Sequence, residues 1–235
     1  MSRQFSFDSV EFGNRFSAYV LQSNFLEGAE EDYEKVSIDG RNGDLIFFNN
    51  RYKNKDLWVA LCVYDNVDAN IDAMRNYLLS KHDYCRYEDS IRPNEYRMAK
   101  YTGEFAPKKY FPDKATIVLE FDGKPQRWLK TGDKAIAVTG SSIVLNNPTL
   151  HEAKPLIRIF GHGSFTVNNL TVTVEEHQQE YIDMDSELFE CHCGAYQMGT
   201  YVSSPNHNYP TLGAGNNTIT TDGVTLQVTP RWYTL

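Results

Sequence analysis

The chain has 235 residues, 41% of them hydrophobic and 13% aromatic, which allows one large or two ordinary domains with their own cores and excludes a disordered chain. Its formal net charge of −8 argues against sequence-general nucleic-acid binding, which needs a surplus of Lys and Arg. No apolar run approaches the roughly 20 residues that cross a bilayer, so no membrane insertion is expected.

The four cysteines, Cys62, Cys85, Cys191 and Cys193, show no regular framework. With the opening "MSRQFSFDSVEF", which lacks the apolar core of a signal peptide, they indicate synthesis in a reducing compartment. The sequons at Asn169 and Asn216 are then expected to be chance matches. Charge is unevenly spread: residues 1–132 carry 19 Lys+Arg and 21 Asp+Glu, residues 133–235 only 4 and 10. This break near "KTGDK" predicts two domains, 1–132 and 133–235.

In chain order, "RQFSF" and "FSAYVLQSN" read as extended, and "EGAEEDYEK" as an acidic loop. Leu57, Val59, Leu61 and Val63 alternate with Trp58, Ala60 and Cys62, so 57–63 reads as a strand buried on both faces. "VDANIDAMRNYLLSK" is the clearest helix, with Val67, Ile71, Met74 and Leu78 in one core-facing stripe and Asp68 or Asn70 placed to cap its start. "IRPNEYRMAKYTGEF" and "ATIVLEFDGKPQRW" continue the β pattern, with Pro125 at an edge or turn.

The second part is a series of short strands: "SSIVLNN", "PLIRIFG", "GSFTVNNLTVTV" and "NTITTDGVTLQVTPRWYTL". Phe165 and Val167 run into an Asn168-Asn169 turn, and Leu170, Val172 and Val174 return as a hairpin. Val224, Leu226 and Val228 repeat the alternation after Asp222-Gly223. This spacing predicts a β-sandwich or jelly roll, and the apolar "PRWYTL" predicts a docked end.

Three stretches invite chemistry. "IDGRNGDL", 38–45, has two glycines, but no Lys-Ser/Thr follows and Asp39 and Asp44 would repel a phosphate; Asn42-Gly43 reads as a tight turn. "ECHCG", 190–194, lacks a second ligand pair, so it reads as a strand with two semi-buried thiols rather than a zinc site. "DMDSE", 183–187, spaces Asp183, Asp185 and Glu187 so that a strand would align three carboxyls, as in laminarinase-like glycoside hydrolases. Unpaired buried carboxylates are costly, so solvated acids in a loop are the expectation. No nucleophile or dinucleotide motif is found.

The ordered string of "IDGRNGDL", "DLWVALCVYDNVDANIDAMRNYLLSK", "YCRYEDSIRPNEYRMAKY", "IVLEFDGKPQRW", "NNPTLHEAKPLIRIFGHGSFTVNNLTVTV", "YIDMDSE" and "TPRWYTL" resembles the distal tail proteins, often called Dit, of long non-contractile-tailed bacteriophages. The resemblance covers nearly the whole chain. It departs at Asp39, where the family more often has Pro.

It implies a mainly β fold: an N-terminal β-sandwich with one α-helix and an extended hairpin, then a C-terminal galectin-like β-sandwich. It also implies a non-enzymatic hub without cofactor, at the distal end of the virion tail, assembled in the bacterial host cytoplasm. Six copies would form a ring joining the tail tube and tape measure proteins to the tail-tip proteins, with DNA only passing through. The hairpin region around 38–55, with Arg41, Asn42, Asp44 and Tyr52, is the expected oligomer contact. The weighed alternatives are a carbohydrate-binding module aiding adhesion to the host wall and a hydrolase acting through "DMDSE".

Overall fold

The computed structural model describes residues 3–111 and 113–235. The chain is mainly β and divides into two compact units, one reaching to Arg127 and including Leu235, the other Trp128–Thr234.

The main sheet of the N-terminal unit runs Val10–Glu11, Phe5–Phe7, Cys85–Asp89, Glu95–Tyr101, Lys114–Gly123, Lys55–Val63, Ala18–Ser23, with antiparallel neighbours throughout. Phe7 and Phe121 stand three strands apart in this order. In a flat sheet three spacings would separate them by roughly 14 Å. Their ring centroids are 5.0 Å apart, so the sheet folds over and its two halves face each other. Phe5, Phe12, Tyr87 and Tyr101 complete an aromatic core, packed edge-on or tilted as ring quadrupoles prefer.

The helix Val67–Leu79 buries Val67, Ile71, Met74 and Leu78, the predicted stripe. Its cap differs from expectation. Asn66 is the N-cap, with left-handed backbone and no side-chain capping bond, while the Asn70 amide donates backwards to the Asp65 carbonyl at 2.7 Å. A carboxylate or amide inside the first turn is past the position from which it could accept from the leading N–H groups. A short helix, Phe12–Phe16, lies between the two stretches read as extended and buries Phe12 and Phe16. Pro125 lies in the bend before Arg127–Leu129.

Strand Lys55–Val63 is buried on one face, through Leu57, Val59, Leu61 and Val63. On the other face Cys62 is buried, but Trp58 and Ala60 are only half-buried. The expectation of burial on both faces is therefore corrected for part of that second face.

In the C-terminal unit two long strands, Leu156–Val167 and Gly215–Thr229, pair along most of their length. Both bend at one bulge, where Gly161, Gly163 and Gly223 have φ of 82°, 140° and 78°. A Cβ on Gly163 would stand 2.3 Å from the Asp222 carbonyl oxygen.

Before the bend the strands are flanked by Ile136–Val138 and Ile182–Asp185, after it by Ser142–Asn147 and Leu170–Val174. One hydrogen-bonded sheet thus supplies two halves around a core of Ile157, Ile159, Phe165, Val172, Leu226 and Val228. "PLIRIFG" and "GSFTV", read as separate strands, are one strand with a glycine bend. The Asn168-Asn169 hairpin is as predicted: Val167 opposes Leu170, and Asn168 has φ of 52°. The end is docked, with Trp232 buried and its carbonyl accepting from the Leu129 N–H at 2.8 Å.

Candidate functional site

"EDYEKV" and "LIFFNNRY" form the strands Glu31–Val36 and Leu45–Tyr52. The segment expected to be an acidic loop is thus half of a hairpin. Its β-branched and aromatic partners across the turn favour pairing more than its acids oppose it. These strands pair with each other and, among the described residues, with no other strand. They form an arm.

The connection 37–44 is a turn and not a phosphate cradle, since a strand follows it and not a helix. The turn is set differently from the expected Asn42-Gly43 pair. The Arg41 N–H donates to the Ile38 carbonyl at 3.1 Å, with Gly40 at φ 79°, a type II arrangement with Asp39 at its first corner. Gly43, at φ 82°, then redirects the chain into the second strand.

Register assigns the arm's faces. Tyr33 opposes Phe48 and Lys35 opposes Ile46 on one; Glu34 opposes Phe47 and Val36 opposes Leu45 on the other. Both faces are apolar and open: Ile46, Phe47 and Phe48 are 65%, 54% and 44% exposed. Arg51 with Asp32, and Lys53 with Glu30 at 2.8 Å, are surface pairs that add little stability. A contiguous apolar surface of this kind marks an interaction site.

The arm's root is fixed. The Asn24 amide donates to the Asp56 carbonyl at 2.8 Å, and its oxygen accepts from the Trp58 N–H at 2.8 Å. Arg97, fully buried, donates to the carbonyls of Phe25 at 3.2 Å, Pro125 at 3.0 Å and Glu27. Burial, with Arg127 nearby, lowers its pKa to about 10, so it stays charged at neutral pH. Lys55 and Glu27 pair across the root at 2.7 Å.

Of the four expected contact residues, Arg41, Asn42 and Asp44 lie exposed in the turn. Tyr52 is half-buried at the far end of the second strand, its ring 6.1 Å from Phe48. The structure does not gather the four at one point. Ile46, Phe47 and Phe48, exposed between them, fall inside the expected 38–55 region without being singled out, and exposed Tyr33 lies outside it. The signal of this exposed ladder is the run "LIFF", apolar on consecutive positions and so on both faces of a strand.

Two of the three "DMDSE" acids are not solvated. Asp183 and Asp185 are buried on the strand Ile182–Asp185, and each accepts two bonds from an arginine fork. Arg158 reaches Asp183 at 2.7 and 2.8 Å; Arg231 reaches Asp185 at the same distances. Asp185 also accepts from the N–H groups of Glu187 and Leu188. Burial pushes the Asp185 pKa up, but Arg231 and the two amides outweigh it and hold it below the usual carboxylate value. Glu187 is exposed, 3.7 Å from the Lys154 ammonium. Carboxylates fixed in this way are structural clamps, not a poised acid and nucleophile.

Cys191 is buried and Cys193 half-buried on Glu190–Cys193, and both are free. Among the described residues no three His, Cys, Asp or Glu converge as a metal set.

The whole chain matches a phage protein of solved structure. It is the SPP1 Dit (gp 19.1) protein, described as a paradigm of the hub adsorption apparatus in phages infecting Gram-positive bacteria. The TM-score is 0.72 over 100% of both chains, at 14% sequence identity. No family profile and no curated protein matches the sequence. At that identity the likeness establishes the fold, from end to end.

Proposed function

We propose that the chain is a non-enzymatic structural hub of a phage tail tip, acting as a homohexameric ring between the tail tube and the adsorption proteins. The observation that carries this reading is the pairing of a Dit-like fold over the full chain with an arm whose two apolar faces stand exposed among the described residues. An arm of this kind suits head-to-tail assembly, in which one patch binds a different patch on the next copy and the series closes when the rotation fits a whole turn. The ring's neighbours would be the tail tube and tape measure proteins on one side and tip proteins on the other, at the distal end of the virion tail. Genome DNA would only pass through its lumen, where residues 1–132, with 19 Lys+Arg against 21 Asp+Glu, would offer no basic surplus for it to adhere to.

Mass measurement of the purified full chain tests this. A species of six times the 27.0 kDa chain mass, seen as closed rings by electron microscopy, is the expected result. A chain that remains monomeric at its solubility limit refutes it. Arg41, Asn42, Asp44 and Tyr52 are proposed to flank the contact, with the exposed ladder at its centre.

A further inference from the structure

The turn of the arm holds chemistry that neither the fold nor the proposed assembly uses. Four times in the chain an Asp or Asn precedes a glycine: Asp39-Gly40, Asn42-Gly43, Asp122-Gly123 and Asp222-Gly223. In such a pair the glycine nitrogen can close on the preceding side-chain carbonyl carbon to form a five-membered imide, because glycine puts no Cβ in the way. Closure needs a glycine N–H free of hydrogen bonds, a side chain without a partner, and a backbone able to rotate the two together. The four pairs differ on these requirements.

Asp122 is engaged: its carboxylate accepts from the Asn54 amide at 2.9 and 3.0 Å and from the Tyr84 hydroxyl. Gly123 is buried opposite Lys55 within the sheet. Asp222-Gly223 lies at the bulge of the two long strands, where a Cβ on Gly223 would stand 2.9 Å from the His162 carbonyl oxygen. Asp39 and Gly40 are the corners of a turn closed by the Arg41 N–H at 3.1 Å. Asn42 and Gly43 are both exposed, and an added Cβ on Gly43 would meet nothing within 4 Å. Among the described residues neither the Gly43 N–H nor the Asn42 amide makes a hydrogen bond.

We propose that Asn42 is a site of spontaneous deamidation in the folded chain, a modification that makes the tip of the arm more acidic with age. The Gly43 nitrogen gives up its proton and bonds to the Asn42 side-chain carbonyl carbon. The bond from that carbon to the side-chain nitrogen breaks, and the nitrogen leaves as ammonia with the proton. Water then opens the imide. Cleavage at the side-chain carbonyl leaves an aspartyl residue in a normal backbone; cleavage at the backbone carbonyl leaves an isoaspartyl residue, with one more carbon in the main chain. Either product adds a carboxylate between Asp39 and Asp44, so that Arg41 is the turn's one cation against three acids. The isoaspartyl form also lengthens the connection that sets Val36 opposite Leu45. This inference does not rest on the assembly reading.

Ageing of the full chain at mildly alkaline pH tests it, read by ion-exchange chromatography and by peptide mapping in a mass spectrometer. The parent and Asn42→Gln are aged side by side, each native and in urea; glutamine would need a six-membered ring, which closes far more slowly. The expected first product is an acidic form, one dalton heavier in the peptide that spans the turn and carrying isoaspartate there. Its rate in the native chain is expected to be no more than about threefold below the rate in urea, since no opening of structure has to precede closure. Asn42→Gln should lose this product while keeping the parent's melting temperature. A native rate below that range, a first acidic product mapped to another residue, or an acidic form that persists unchanged in Asn42→Gln overturns the assignment.

Discussion

Asp185 shows what a buried carboxylate does in this protein. It accepts four hydrogen bonds, two from Arg231 and two from the backbone of the loop after its strand. Asp185→Asn keeps the shape but leaves the half-buried Arg231 guanidinium without its counter-charge. We expect a loss of about 2–4 kcal/mol in urea unfolding of the full chain. The pH dependence follows from the lowered folded-state pKa. Its stabilisation is complete above the unfolded-state value of about 4 and is lost as pH falls through the lower folded value. The parent should therefore lose stability over that acid range more steeply than Asp185→Asn, as read by denaturation midpoints at successive pH values. The acids were visible in the sequence as a regular i, i+2, i+4 set. Their arginines were not, because Arg158 and Arg231 lie 25 and 46 positions away and meet them only through strand pairing.

Elements differ in how much of themselves they declare. The helix Val67–Leu79 was legible because its four buried residues recur at its own period, and Met74→Ala should cost about 2–5 kcal/mol by thermal or urea unfolding. The arm was half legible. Its turn was recognised, but the acids of Glu31–Val36 masked a strand whose pairing depends on residues beyond the turn.

Asp39 occupies the first corner of the Ile38–Arg41 turn, where proline's fixed φ fits. Asp39→Pro is expected to rigidify the arm, slowing amide exchange across Glu31–Val36 by a factor of about two to five through the lost freedom of the open state. Arg97→Met acts at the root. It strips three carbonyls of their donor, and should speed exchange through 24–56 and destabilise the chain by about 2–3 kcal/mol.

At the scale of the molecule, the proposed assembly makes the arm the element to test in solution. Replacing Ile46 and Phe48 together with Asp removes the apolar ladder from one face without touching the core, since both are exposed. The expected result is a protein of unchanged melting temperature that sediments as a monomer at concentrations where the parent assembles.

Local order decided much of this protein in advance. The mainly β character, the helix and its buried stripe, the Asn168-Asn169 hairpin and the docked end follow from periodicity and turn chemistry, which act between residues close in sequence. Tertiary structure alone decided which acids find arginines, that Gly161, Gly163 and Gly223 bend two long strands into four half-strands, and that Ile46, Phe47 and Phe48 stay in the open while Leu57, Val59 and Leu61 go inside. Both sets of side chains are equally apolar. What separates them is whether the folded chain brings another surface to meet them, and no alternation pattern carries that information.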